Sequence, residues 1–245
     1  VDLVPRYVGY NVQFDNIMWK IPDFASFYQQ YMDIIIREIY SFNTKNQKTV
    51  ILDFGANVGV SVFAFLTMYP NAEIYAYEAD PIIFRYLQEN VKQYSRRMYN
   101  MHLYNLAITN CDGEVLFLPD RADGGRLIDK FDEHKNGIKV EGVDALRILN
   151  QFKHIDFIKI DIEGEEEKVL KRIKEELYKV DNIFIEYHSQ RGKPQNLDII
   201  VSILRESGFR YVINGVSVKK HPFVEDAYDS KFDAQMEIYA RKSVV

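Results

Sequence analysis

Residues 49–59 read TVILDFGANVG, and this stretch decides the fold. Thr49 to Asp53 is too short for a helix and shows no polar alternation, so it reads as a strand buried on both faces, as in parallel sheets. A turn holding Gly55 and Gly59 follows at once. Glycine lets the backbone turn sharply and approach a ligand closely, and Asn57 is the non-glycine residue most tolerant of a left-handed conformation. A helical pattern then runs to about Tyr69, where Pro70 stops it.

Working outward, the same alternation repeats. Glu73–Tyr77 reads as a second strand, and Pro81 opens the next helix at a position that tolerates proline. Met101–Leu106 is a third strand, Ile155–Asp161 a fourth and Asn182–Tyr187 a fifth. Helices are expected from about Glu165 to Tyr178 and from Leu197 to Ser207, the latter ended by Gly208. Strands alternating with helices make βαβ units and a mostly parallel sheet. The Asp112-Gly113 pair is a hairpin signal joining the segment around Ala107 to Glu114–Leu118. Phe209–Ile213 and Gln235–Ala240 have no helix between them, so they pair antiparallel at one edge. Upstream, a helix from about Phe24 to Phe42 carries Phe27, Tyr31, Ile34, Ile35 and Ile39 at helical spacing, with Ser26 as cap. The reading is a doubly wound α/β domain over residues 49–245 with a C-terminal antiparallel hairpin. An N-terminal extension, residues 1–48, packs its helix on that core.

Composition narrows the function. A chain of 245 residues, 47% hydrophobic and 27% charged, is one ordinary globular domain. Its 31 basic and 36 acidic residues give a net charge of -5, with no long run of Lys and Arg, so nucleic acid is not the expected partner. The single Cys111 cannot form an internal disulfide, which favours a reducing, cytoplasmic setting. The longest apolar runs fall far short of the roughly 20 residues of a membrane span. The chain begins at Val1 and not at Met, which leaves room for an upstream piece.

In open parallel sheets ligands bind beyond the carboxyl ends of the strands. After the first strand stand Asp53, Gly55, Ala56, Asn57 and Gly59; after the second stands Glu78, where an acid accepts hydrogen bonds from ribose hydroxyls. A dinucleotide needs G-x-G-x-x-G, and Asn57 and Val60 break that pattern, while Asp53 puts a carboxylate where phosphate would be repelled. S-adenosylmethionine has no phosphate and carries two cationic centres, so it suits the site better than NAD. An NAD-dependent oxidoreductase and a catalytically inactive S-adenosylmethionine-binding module are the alternatives.

The runs VILDFGANVGVSVFAFL, YEADP, NLAITNCDGEV and IDFIKIDIEGEEEKVLKRI together resemble the FkbM-type methyltransferases, a branch of the class I, Rossmann-like enzymes. The resemblance covers about Thr49 to His188. It implies a seven-stranded sheet with the last strand inserted antiparallel, S-adenosylmethionine as cofactor, and O-methylation of sugars, natural products or other small molecules. Position by position, it implies that Asp53, Gly55, Ala56, Asn57 and Gly59 hold the methionine part. Glu78 would hold the ribose with Ala79 beside the adenine, and Asn105 and Ala107 would line the adenine pocket.

The reacting end is read from the fourth and fifth strands. Period-two alternation puts Phe157, Lys159 and Asp161 on one face, with Glu163 just beyond, and Glu186 and His188 share a face at the same end of the fifth. If the two strands are neighbours, as the resemblance implies, Asp161, Glu163, Glu186 and His188 converge. An attacking hydroxyl must lose its proton, and an unperturbed histidine titrates near neutrality, so His188 is the expected general base, oriented by Glu186 or Glu163. Asp161 would contact the cofactor ammonium or fix the acceptor hydroxyl. A second version has Asp161, Glu163 and His188 holding a divalent cation, though the spacing does not demand one. Lys159 in a buried strand calls for an ion pair with a carboxylate. Glu165–Glu167 open a helix and are expected to be solvated. His102, His134, His154 and His221 lack such a context. The loop Asp120–Asn136, hinged at Gly124-Gly125, is the expected lid.

Overall fold

A computed structural model describes residues 4–93, 100–128, 136–216, 223 and 232–242. Its order opens with a small antiparallel pair, β1 (Tyr10–Phe14) and β2 (Ile17–Ile21), then α1 (Phe24–Gln30). The βα series follows: β3 (Val50–Phe54), α2 (Val60–Met68), β4 (Glu73–Tyr77), α3 (Pro81–Val91) and β5 (Met101–Tyr104). Four short strands come next, β6 (Ala107–Thr109), β7 (Gly113–Leu118), β8 (Arg126–Ile128) and β9 (Ile138–Asp144). The chain closes with α4 (Ala145–Leu149), β10 (Ile155–Ile160), α5 (Glu166–Ile173), β11 (Val180–Gln190), α6 (Leu197–Glu206), β12 (Phe209–Gly215) and β13 (Phe232–Lys242).

The main sheet has seven strands in the order β12-β13-β11-β10-β3-β4-β5. The pairings from β11 to β5 are parallel, and β13 runs antiparallel between β11 and β12. The doubly wound sheet and its inserted antiparallel strand are as expected. Strand order reverses between β3 and β10, which sets the ligand crevice at their carboxyl ends.

Each face of the sheet has its own apolar layer. On one side Leu52, Phe54, Ile158 and Ile160 pack under α4, α5 and α6. On the other, Ile51, Ile74 and Phe157 pack with α2, α3 and the N-terminal segment through Trp19, Ile21, Phe27 and Tyr31. Asp80 caps α3 by accepting the backbone N–H groups of Ile82 and Ile83 ahead of Pro81. Among the described residues, no helix is long and apolar enough to cross a membrane.

Three local expectations are corrected. The N-terminal helix does not run to Phe42: α1 passes into a π-helical turn, Tyr31–Ile36, and ends there. Tyr40 and Phe42 lie beyond it and bury their rings against Phe157, a long-range contact that overrides local periodicity. Its cap is Asp23, whose carboxylate accepts from Ser26 N, so Ser26 is the capped residue. The Asp112-Gly113 turn does not join β6 to β7 as a hairpin. β9 lies between them, parallel to β6 and antiparallel to β7, so a distant strand takes the place a local partner was expected to fill.

Candidate active site

The turn after β3 is fixed by its backbone. Gly55 N and Ala56 N both donate to Tyr77 O, at 3.0 and 2.9 Å, tying the turn to the end of β4. Gly55 has φ +92°, and a Cβ there would lie 1.9 Å from Asp161 O, so only glycine lets the turn close against the end of β10. Gly59, with φ +94°, serves packing: a Cβ on it would meet the Leu87 side chain at 2.8 Å. Asn57 takes the left-handed conformation expected of it, at φ +47°.

Glu78 is buried at the end of β4. One carboxylate oxygen accepts Asn57 N at 3.0 Å and the other accepts Asp80 N at 2.8 Å. Burial pushes its carboxyl up to about 7 against those two donors. Asn105 stands behind this corner, its Nδ2 donating to the carbonyls of Glu78 and Ala79 at 2.8 and 3.1 Å.

A cavity of about 430 Å³ opens here. Gly55, Ala56, Asn57, Glu78, Ala79 and Ala107 line it, and so do Asp161, Glu163 and Glu186. Asp53, Gly59, Asn105 and His188 are not among the described residues that line it. Asp53 is fully buried beneath the turn, accepting from Ser61 Oγ at 2.5 Å. Several other lining residues carried no local signal, including Arg6, Gln29 and Asp33 from the N-terminal segment and Gln235 and Glu237 from β13.

Lys159 forms the expected ion pair. Register sets it beside Asp53, and its Nζ lies 3.6 Å from Asp53 Oδ1, 3.1 Å from Asp161 Oδ2 and 2.7 Å from Gly55 O. Burial opposes its charge, but the two carboxylates outweigh it and hold the ammonium protonated.

Asp161, Glu163, Glu186 and His188 do converge, with a particular layering. His188 is buried one layer behind the cavity wall. Its Nδ1 lies 3.2 Å from Glu166 Oε1, and its Nε2 lies 3.7 Å from both Glu163 Oε1 and Glu186 Oε1. Burial alone would lower its pKa, but Glu163 and Glu166 raise it well above the ordinary value. Burial, reinforced by Asp161, pushes Glu186 up to about 7. It also lifts Glu163 far out of the usual carboxylate range despite His188. Glu163 Oε2 is buried with no hydrogen-bond partner among the described residues.

Glu166 corrects the expectation of a solvated Glu165–Glu167. It is buried, and its Oε1 accepts Ile162 N at 3.2 Å and Gly164 N at 3.0 Å besides facing His188. A helix-start acid ordinarily meets water. Here β11 brings an imidazole to it, a contact that local sequence cannot reveal.

One oxygen each from Asp161 and Glu186 and one nitrogen of His188 lie within 4.8 Å of one another, so Glu186 replaces Glu163 in the expected cation set. The chemistry of this set fits a divalent cation poorly. The Lys159 ammonium already sits against Asp161 at 3.1 Å, and Gln235 Nε2 lies 3.2 Å from His188 Nε2, so two of the three groups already have partners. Of the expected lid, Arg126–Ile128 forms a strand paired with β7, and residues 129–135 lie outside the described residues, as do His134 and His221.

Three comparisons with known proteins bear on this geometry. The model of the methyltransferase FkbM domain matches residues 53–211. The 2-O-methyltransferase NoeI of Sinorhizobium fredii is 30% identical over 159 residues, covering 58% of this chain and 64% of its own length. The chain thus spans just under two thirds of that relative. Methyltransferase 1 of Beauveria bassiana is 21% identical over 74% of this chain and 80% of its own. In structure, the methyltransferase FkbM of Methylobacillus flagellatus aligns with a TM-score of 0.52 at 18% identity, over 81% of this chain and 45% of that one, a likeness of fold.

Proposed function

This chain belongs to the FkbM methyltransferase family, and from that premise we propose that it moves a methyl group from S-adenosylmethionine to a hydroxyl of a sugar or other small acceptor. One observation carries the reading. The turn Gly55–Asn57 and the ribose-type acid Glu78 line the same cavity as Asp161, Glu163 and Glu186. The resemblance to a 2-O-methyltransferase supports oxygen as the accepting atom.

The residues fit a phosphate-free, cationic cofactor. Eight carboxylates face the cavity against two basic side chains, and both of these are engaged, Arg6 by Asp23 and Lys159 by Asp53 and Asp161. A pyrophosphate would meet net repulsion there. Glu78, its backbone bonds using one lone pair on each oxygen, keeps acceptor capacity for two ribose hydroxyls. When bound, the cofactor supplies an electrophilic methyl carbon whose bond to sulfur breaks as the bond to oxygen forms.

This chain's own residues must hold the hydroxyl in line and take its proton. We assign the proton to Glu186. Its carboxyl faces the cavity, is braced by Gln235 Nε2 at 2.5 Å, and is poised at about 7, where a base can be both ionised and effective. His188 then acts from behind. Set between Glu163, Glu166 and Glu186, it holds their spacing from a buried position, so we move the general-base role expected of it to the carboxylate in front.

Substituting Glu186→Gln is expected to lower kcat by about 10²- to 10⁴-fold while leaving S-adenosylhomocysteine affinity within a few-fold. In the parent enzyme kcat/KM should rise with pH through about 7, because the carboxyl must lose its proton before it can accept another. That limb should vanish in the variant. Methyl transfer followed by S-adenosylhomocysteine release tests both points, and a variant with the parent pH profile would remove Glu186 from the reaction. Calorimetry that finds NAD binding and no response to S-adenosylhomocysteine would overturn the whole assignment. Prolonged EDTA treatment is expected to leave turnover within about twofold, because the Lys159 ammonium already occupies the Asp161 carboxylate. A loss restored by Mg²⁺ or Mn²⁺ would favour the metal version instead.

A further inference from the structure

The sheet face that carries the acidic cavity continues, away from the cofactor end, into a second and larger one. This groove, of about 870 Å³, has an aromatic floor that includes Phe157, Phe184 and Tyr239. Ile39 is common to the walls of both. Their charges are opposite. Eight carboxylates face the first, whereas Lys45, Arg210, Arg241 and Lys242 line the second against a single acid, Asp181, which His154 already meets at 3.2 Å. The local balance of four basic residues to one acid is opposite in sign to that of the chain, whose net charge is -5.

Arg210 and Arg241 are the decisive pair. They are direct cross-strand partners in the β12–β13 ladder, so their side chains leave the same face a few ångströms apart. Like charges set opposite each other destabilise a sheet, and among the described residues no ion pair offsets either one. Nor, among the described residues, does a helix cover this stretch: Val212, beside them on the groove wall, is 62% exposed. Two guanidinium forks that repel each other at the edge of this groove have the geometry to share a multivalent oxyanion, which both can grip bidentately.

We propose that this groove is a second binding site, for a phosphate group that forms the anionic end of an extended acceptor. The proposal rests on the methyl-transfer reading for what occupies the first cavity. Glu237, on the first cavity's wall, and Arg241, on the groove's, are four residues apart on one face of β13, about 13 Å along the strand. The acidic cavity repels phosphate and the groove attracts it, so the two together would set both the direction and the reach of the acceptor. The reacting hydroxyl lies near Glu186 and the phosphate is held well away from it.

The test titrates the full chain with inorganic pyrophosphate, with S-adenosylhomocysteine titrated in parallel. Pyrophosphate should bind the parent protein and bind at least tenfold more weakly to the R210E/R241E variant, with R210Q/R241Q intermediate. Affinity for S-adenosylhomocysteine should stay within twofold in all three, and saturating pyrophosphate should not displace it. Equal pyrophosphate binding in parent and variants, no binding at all, or displacement of S-adenosylhomocysteine would overturn the proposal. Tighter, arginine-dependent binding of poly-glutamate than of pyrophosphate would also overturn it, in favour of an acidic protein partner. Loss of S-adenosylhomocysteine binding with arginine-dependent pyrophosphate binding intact would instead refute the methyl-transfer reading and leave the groove an anion site.

Discussion

Gly55→Ala is expected to lose at least 100-fold in affinity for S-adenosylhomocysteine and to destabilise the fold by about 2–5 kcal/mol. Two costs combine. The backbone at φ +92° is disfavoured for any residue with a Cβ, by about 1–2 kcal/mol. The new methyl would also lie 1.9 Å from Asp161 O, a rigid backbone atom, so the turn or the end of β10 must move. Either movement displaces the wall on which the cofactor is proposed to rest. Gly59→Ala is the internal comparison. It carries the same backbone penalty, but its methyl meets the Leu87 side chain at 2.8 Å, beneath the turn, where rotation can relieve the clash. Its stability should fall while ligand affinity drops far less. Calorimetry and thermal unfolding on the two variants would check this, and parent-like binding by Gly55→Ala would show that this turn does not shape the site.

Lys159→Met is expected to be the most destabilising single change at the site, by about 3–5 kcal/mol. The ammonium is buried between Asp53 and Asp161 and donates to Gly55 O, so removing it leaves two carboxylates with no counter-charge and one carbonyl without its donor. For a chain of this size that corresponds to a fall in Tm of roughly 6–20 °C. Pairing it with Asp53→Asn should recover part of the loss, because the buried charge then leaves together with its partner. Chemical denaturation of the single and double variants measures the coupling. If the double variant is no more stable than Lys159→Met alone, Asp53 is not the group that Lys159 neutralises.

The same triad shows how far reading alone reaches. Lys159 in an apolar strand calls for a carboxylate, and any chain that buries it must supply one. Which carboxylate, and that the ammonium also fastens the Gly55 turn, depends on the register of β10 against β3, which pairs Lys159 with Asp53. Glu163, Glu186 and His188 were legible as a group because period-two alternation and strand ends are local properties. Their layering was not. Strand alternation puts Glu186 and His188 on one face but does not say that Glu163, held in a left-handed turn at φ +57°, and Glu186 stand in front while His188 faces Glu166 behind.

What the sequence determined by itself is what short-range physics fixes: the buried strands, the glycine turn with Asn57 in its left-handed position, the acid at the end of β4, and hence the sheet and its crevice. Each follows from backbone sterics and apolar spacing within about ten residues. Which distant groups share a cavity or a proton depended on how the elements pack. It placed β9 between β6 and β7, brought Arg6, Gln29 and Asp33 to the cavity, buried Glu166 against His188, and set Arg210 opposite Arg241. Those neighbours lie tens of residues or more apart along the chain, and local spacing cannot say which of them folding will set side by side.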